Sequence, residues 1–195
     1  MIKIVEKRSL TIFKSQLGFS LVELLVVMAI AAILATLAAP SVSEMLRLNR
    51  LSTASSALQI SLSLARSEAI KRGGDSRVSV TSNTTSDAWT DGWTVYWHNS
   101  ATPSDPAPTA DSAGSVTRIE VVGALSTPIS ISHTNSLTSF TYDGSGRLID
   151  PSGGAVANRA FWFYDDSSEK YCVIVNNTGR VRTQRVSSST SCSTS

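Results

Sequence analysis

Hydrophobic and polar positions follow three successive patterns along this chain, and each predicts a different element. From Phe19 to Ala39 (FSLVELLVVMAIAAILATLAA) nearly every position is apolar, a run of about 21 residues that as a helix spans roughly 30 Å, one bilayer crossing. Beyond Pro40, which would bend such a helix, Val42, Met45, Leu51, Ala54, Leu58, Leu62, Ala65 and Ala69 recur mostly at three- and four-residue steps. That spacing predicts an amphipathic helix running to about Arg72, ended by Gly73-Gly74, since glycine takes the left-handed C-cap conformation freely.

After the glycines the period shortens, and β-branched and aromatic residues gather in short runs separated by Gly, Asn, Asp and Pro. Strands are expected near Arg77 to Thr81, Trp93 to His98, Thr117 to Val122, Ile129 to Ser132, Thr138 to Tyr142, Phe161 to Tyr164, Tyr171 to Val175 and Arg180 to Thr183. Asn99 to Ser115, with Pro103, Pro106 and Pro108 among small polar residues, reads as a loop. The helix's apolar stripe would pack on a sheet made from this remainder. The Ser/Thr-rich tail from Ser187 to Ser195 would be disordered unless a covalent tie held it.

Charge divides the chain unevenly. Lys3, Lys7, Arg8 and Lys14 face only Glu6 in the first 18 residues, so the formal +2 reduces to about −1 for the rest, 13 basic residues against 14 acidic. Basic residues precede the apolar run and none follows until Arg47, a bias that puts the N-terminus in the cytoplasm and exports the rest across the inner membrane. The resulting division is a basic leader at 1–18, an apolar helix at 19–44 and an exported α+β domain at 45–195. An exported chain meets an oxidising compartment, where Cys172 and Cys192 would form a disulfide closing a loop of about 20 residues, worth roughly 3 kcal/mol. Two free thiols are the alternative.

A secretory signal has a shorter apolar core followed by a small-residue cleavage site. Here Gly18-Phe19 precedes the run and Glu23 lies inside it, where a lone carboxylate costs about 3 kcal/mol. Cleavage after Gly18 would create an α-amine at Phe19 able to pair with Glu23 of a neighbouring subunit. Gly18-Phe19-Ser20-Leu21-Val22-Glu23-Leu24-Leu25 resembles the prepilin peptidase recognition motif of type IV pilins and pseudopilins. The resemblance implies cleavage between Gly18 and Phe19 by prepilin peptidase, N-methylation of Phe19, a docking role for Glu23, and assembly with other pilin subunits. Trp89 with Asp91-Gly92-Trp93, Phe140 with Gly144-Ser145-Gly146-Arg147, and Gly179-Arg180-Val181-Arg182 resemble the FimT/GspH family of minor pilins and pseudopilins. That likeness implies a type IV pilin-like α+β fold, a long N-terminal helix against an antiparallel sheet. Trp89, Trp93 and Phe140 are expected to fill its core.

Catalytic chemistry finds little support in the sequence. His98 and His133 have no Cys or carboxylate at ligand spacing, no phosphate-cradling glycine loop occurs, and no nucleophile motif stands out, so no enzyme and no cofactor are expected. From Lys170 to Ser195, however, Lys170, Arg180, Arg182 and Arg185 share a segment that holds no carboxylate. With Asn177-Thr178-Gly179 as a turn, Arg180 and Arg182 would stand two apart on one strand face and grip successive phosphates. Gly179, Arg180 and Arg182 resemble the GRxR motif of FimT-type minor pilins, which bind DNA outside the cell for uptake in natural transformation. Lys170 and Arg185 join that set by charge and proximity. A Cys172–Cys192 bond would clasp this segment and pre-order it. Two functions are therefore expected: a minor pilin binding DNA weakly and without sequence preference, or a structural minor pilin or type II secretion pseudopilin priming assembly at a filament tip.

Overall fold

A computed structural model describes residues 18–84, 88–98, 116–126, 128–134, 138–150, 154–166, 169–187 and 189–192, with the side chains of 37–41 also outside the described set. The leader up to Leu17 and the loop expected at Asn99–Ser115 therefore lie outside the described residues, as does the Pro40 side chain. The chain forms two compact units, Met1–Ser43 and Glu44–Ser195. The first contributes the start of helix α1 (Leu21–Arg72). Ser20 caps that helix, its Oγ accepting the Glu23 N–H at 3.1 Å, and Ser-x-x-Glu is the spacing of a capping box. From Leu21 to Leu34 the large apolar side chains are exposed. Among the described residues no helix is long and apolar enough to cross a membrane.

In the second unit α1 buries one stripe, Leu51, Ala54, Leu58, Leu62, Ala65 and Ala69, each no more than 5% exposed. Val42 and Met45, expected on the same stripe, are exposed. Helical geometry explains this: at 100° per residue, Met45 stands roughly 120° and Val42 roughly 180° away from Leu51 around the axis. The core-facing position one turn before Leu51 is Arg47, whose Nε donates to Asp165 Oδ2 at 3.2 Å.

Among the described residues the remainder builds nine strands in two sheets, where one sheet was expected. The strands are β1 (Arg77–Ser82), β2 (Trp93–His98), β3 (Val116–Val122), β4 (Ser130–His133), β5 (Ser139–Asp143), β6 (Leu148–Ile149), β7 (Arg159–Tyr164), β8 (Glu169–Val175) and β9 (Val181–Ser187). The first sheet has the order β3-β2-β1-β5-β6 and the second β4-β7-β8-β9, and every pairing is antiparallel. Eight of these strands answer to the sequence reading, β2 with the expected bounds and the other seven with one or both ends shifted by a residue or more. β6 has two residues, too short to leave a period, and a 3-10 turn over Trp89–Asp91 also went unforeseen.

Aromatic rings tie the two sheets together beneath the helix. Trp89 packs against Phe140 of β5 and Phe161 of β7, with ring centroids 5.8 and 4.8 Å away, and those two phenyl rings lie 5.0 Å from each other. Trp89, Trp93 and Phe140 are all buried and fill the core, as expected. Gly92 belongs to the same packing: its φ is 91°, and a β-carbon there would lie 2.6 Å from the Gly123 carbonyl oxygen. Among the described residues, the buried core lies between Leu51 and Val175, within the Glu44–Ser195 unit, which therefore carries a core of its own.

Candidate functional site

The site is organised by two hairpin turns that follow one plan. In the turn joining β5 to β6, Asp143 Oδ1 accepts the Ser145 hydroxyl at 2.6 Å and the Arg147 N–H at 3.0 Å. The Gly146 N–H donates to Asp143 O at 2.8 Å, the Asp143 N–H donates to Arg147 O at 3.1 Å, and Gly146 has φ 78°. In the turn joining β8 to β9, Asn176 Oδ1 accepts the Thr178 hydroxyl and the Arg180 N–H, both at 2.8 Å. The Gly179 N–H donates to Asn176 O at 2.9 Å, the Asn176 N–H donates to Arg180 O at 3.1 Å, and Gly179 has φ 80°. Each turn ends in a left-handed glycine followed at once by an exposed arginine. Their shared spelling, Asp/Asn-x-x-Gly-Arg, is a short internal repeat the sequence reading missed.

The turns differ in charge at their first residue. Burial alone would raise the Asp143 carboxyl, but hydrogen bonds from Ser145 and Arg147 and the Arg147 charge outweigh it, and the group is held below its ordinary range, ionised beside that arginine. Asn176 makes the same bonds with a neutral amide.

The two turns pack back to back on α1. A β-carbon at Gly179 would collide with the Gly146 carbonyl oxygen and lie 3.0 Å from Tyr142, while one at Gly146 would lie 2.6 Å from Ile70 Cδ1. Arg66 of α1 joins them: its Nε donates to Gly146 O and a terminal N–H to Thr178 O, both at 3.0 Å. Both acceptors are neutral carbonyls, so these bonds fix the guanidinium without cancelling its charge. Beside it, between α1 and the start of β9, opens a cleft of about 250 Å³ lined by Ser63, Arg66, Ser67, Gly179 and Arg180. Nothing in the sequence distinguished Arg66 from a solvated arginine on an amphipathic helix.

The expected basic residues do not form one patch. Arg180 lies in the turn and β9 begins at Val181, so Arg180 and Arg182 are not two positions of one strand face. Gly179 is buried and serves to pack the turn. Arg182 pairs across with Ile174 on β8 and Lys170 with Val186, which puts both on the sheet face away from the helix stripe, but four positions or roughly 13 Å apart along β9. Arg185 stands on the opposite face beside Tyr171 and is ion-paired with Glu169, whose carboxyl that bond holds below its ordinary range. The carboxylate-free segment began one residue too late to include that partner.

Cys172 of β8 is bonded to Cys192, with Cα atoms 5.8 Å apart. Cys192 thereby covers Ala160, Cys172 and Ile174 together with Trp162 and Val186. The turn that presents Arg180 is ordered by Asn176, Gly179 and Arg66, so the disulfide fixes the tail to the outer face of the sheet, where it was expected to clasp the arginines.

Elsewhere, His98 Nε2 and Thr141 Oγ1 lie 2.9 and 2.8 Å from Ser79 Oγ, a buried polar chain that braces the first sheet. Among the described residues no cluster of three or more His, Cys, Asp or Glu could hold a metal ion.

A long N-terminal helix with an exposed apolar start, packed through its second half on antiparallel sheets, is the architecture of a type IV pilin-like subunit. Residues 13–39 match the motif described as the prokaryotic N-terminal methylation motif. Residues 54–179 match the family described as type II transport protein GspH, and the chain belongs to that family. Among solved structures it is similar to the type IV minor pilin FimU of Pseudomonas aeruginosa, with a TM-score of 0.53 and 16% identity over 71% of this chain and 90% of that one. FimU in a second crystal form gives 0.48 and 15% over 69% and 92%. At this identity the likeness is one of fold. No curated protein matches the chain at a significant level.

Proposed function

We propose that this chain is a minor pilin-like subunit that is cut after Gly18, N-methylated at Phe19 and held in the inner membrane by its N-terminal helix before assembly with other pilin subunits. Glu23 then pairs with the Phe19 amine of a neighbour. The new terminus would leave Ser20 as the helix cap, so that processing exposes a helix already fitted to start there.

The exported domain binds DNA through its phosphates, for uptake in natural transformation. The observation that carries this reading is the exposure of Arg180 and Arg182 at one end of the second sheet, with Arg180 held out by a turn whose other side chains are neutral. Two or three arginines reading phosphates release few counterions, so the salt slope should be about −2 to −3 and the affinity of one subunit micromolar or weaker. A filament bearing several copies gains by effective concentration. Titrating the Glu44–Ser195 unit with a short duplex at low and moderate salt tests this. Arg180→Gln with Arg182→Gln should abolish salt-sensitive binding with the fold intact, and a wild-type domain that binds nothing at low salt would end the DNA reading.

The family match, named for type II transport, supports a second reading, a purely structural minor pilin or pseudopilin at a filament tip. On that reading deletion costs pili or secretion, and the purified domain shifts no DNA.

A further inference from the structure

We infer that the cleft between α1 and the start of β9 is a phosphate site in which Arg66 and Arg180 hold one phosphate from two sides, with the neutral Asn176 keeping it selective for anions. This deepens the DNA reading and takes from it only the source of the phosphate. The cleft is lined by two arginines from distant parts of the chain, Arg66 of α1 and Arg180 of the β8–β9 turn, beside the apolar Ile70 and Val181. Arg66 is already immobilised by two carbonyls, so little side-chain freedom is left to lose when an anion arrives. Arg180 starts from a backbone fixed by Asn176 and Gly179. Planar guanidinium groups held in this way bind a phosphate by paired, charge-assisted hydrogen bonds.

The twin turn explains why the site belongs to Arg180 and not to Arg147. Both arginines follow a left-handed glycine, but Arg147 sits beside an ionised Asp143 and Arg180 beside an uncharged amide. Ser63 and Ser67 place no charge in the cleft, and their hydroxyls donate to Gln59 O and Leu64 O of their own helix at 2.7 and 2.8 Å.

The same twin supplies the test. Asn176→Asp should keep the turn, because Asp143 makes equivalent bonds in the sister turn, while adding a carboxylate next to Arg180. Ser67→Glu plants a carboxylate at the cleft without touching the Arg66 bonds, and Thr53→Glu, exposed elsewhere on α1, changes net charge equally. Each variant of the Glu44–Ser195 unit is titrated with a short duplex at low salt, and with inorganic phosphate while the arginine Nε–H signals are followed by NMR. Expected are about tenfold weaker duplex binding in Asn176→Asp and Ser67→Glu, less than twofold in Thr53→Glu, and phosphate-induced shifts at Arg66 and Arg180, with melting temperatures unchanged. Should the wild type bind duplex and both cleft variants bind it equally well, the cleft proposal falls and the DNA reading stands. Should the wild type bind no duplex, phosphate shifts at Arg66 and Arg180 would keep the cleft as a phosphate site for another ligand, and their absence would end it.

Discussion

At Gly179 a single hydrogen atom in place of a side chain decides whether two turns can meet. The residue combines a positive φ with a backbone oxygen directly in the path of any β-carbon, and that oxygen belongs to the sister turn and cannot swing aside. Gly179→Ala should therefore destabilise the domain by about 1–3 kcal/mol and displace the amide signals of both turns. Gly123→Ala, where an added β-carbon meets nothing within 4 Å, is the control and should change the melting temperature little. An equal, small effect at both positions would mean that the turns are not locked together. Residues of this kind were only half legible in the sequence. Arg180 and Arg182 announced themselves by charge, and the glycine by its turn, but Arg66 did not, because its partners are carbonyls contributed by residues remote in the chain. Charge counting also misassigned Arg185, whose Glu169 partner stands diagonally across the sheet.

Elements were more legible because they are written in local periods. The helix, its end at Gly73-Gly74 and eight strands were all readable, and what failed were features set by pairing. Which strands share a sheet depends on contacts between distant residues, and one apolar remainder supports one sheet or two equally well. The helix stripe shows the same limit. Its true face begins at Leu51, and extending it back to Val42 followed the step size while losing the accumulated angle. The stripe belongs to the same buried cluster as the core residues of both sheets, so cutting it back opens a cavity in that shared core. Leu58, fully buried at its centre, should cost about 2–5 kcal/mol when cut to alanine. Ile60, two residues on and 62% exposed, should cost within roughly 0.5 kcal/mol, read by denaturant unfolding at constant m-value. A large loss at Ile60 in the isolated unit would require a buried surface there that the fold does not provide.

For the molecule as a whole, the disulfide and the proposed arginine site are held by different bonds on one small sheet. The bond joins β8 to the chain end and seals Ala160 and Ile174 under Cys192, on the face away from the helix stripe. The site lies where the β8–β9 turn meets α1, fixed by bonds that the cysteines do not share. Reduction should then release the tail and remove the loop constraint, about 3 kcal/mol, which for a domain of this size lowers the melting temperature by roughly 6–12 °C. Duplex affinity well below the new transition should change less than twofold, because Arg180 keeps its turn and Arg66 its carbonyls. Cys172→Ser with Cys192→Ser should reproduce both results without reductant. If reduction instead abolished binding while the fold survived, the tail itself would have to order the arginine turn, and the independence of the two devices would be refuted. The arrangement fits a subunit of a pilin-like family, because the Glu44–Ser195 unit is closed by its own core and its own covalent tie.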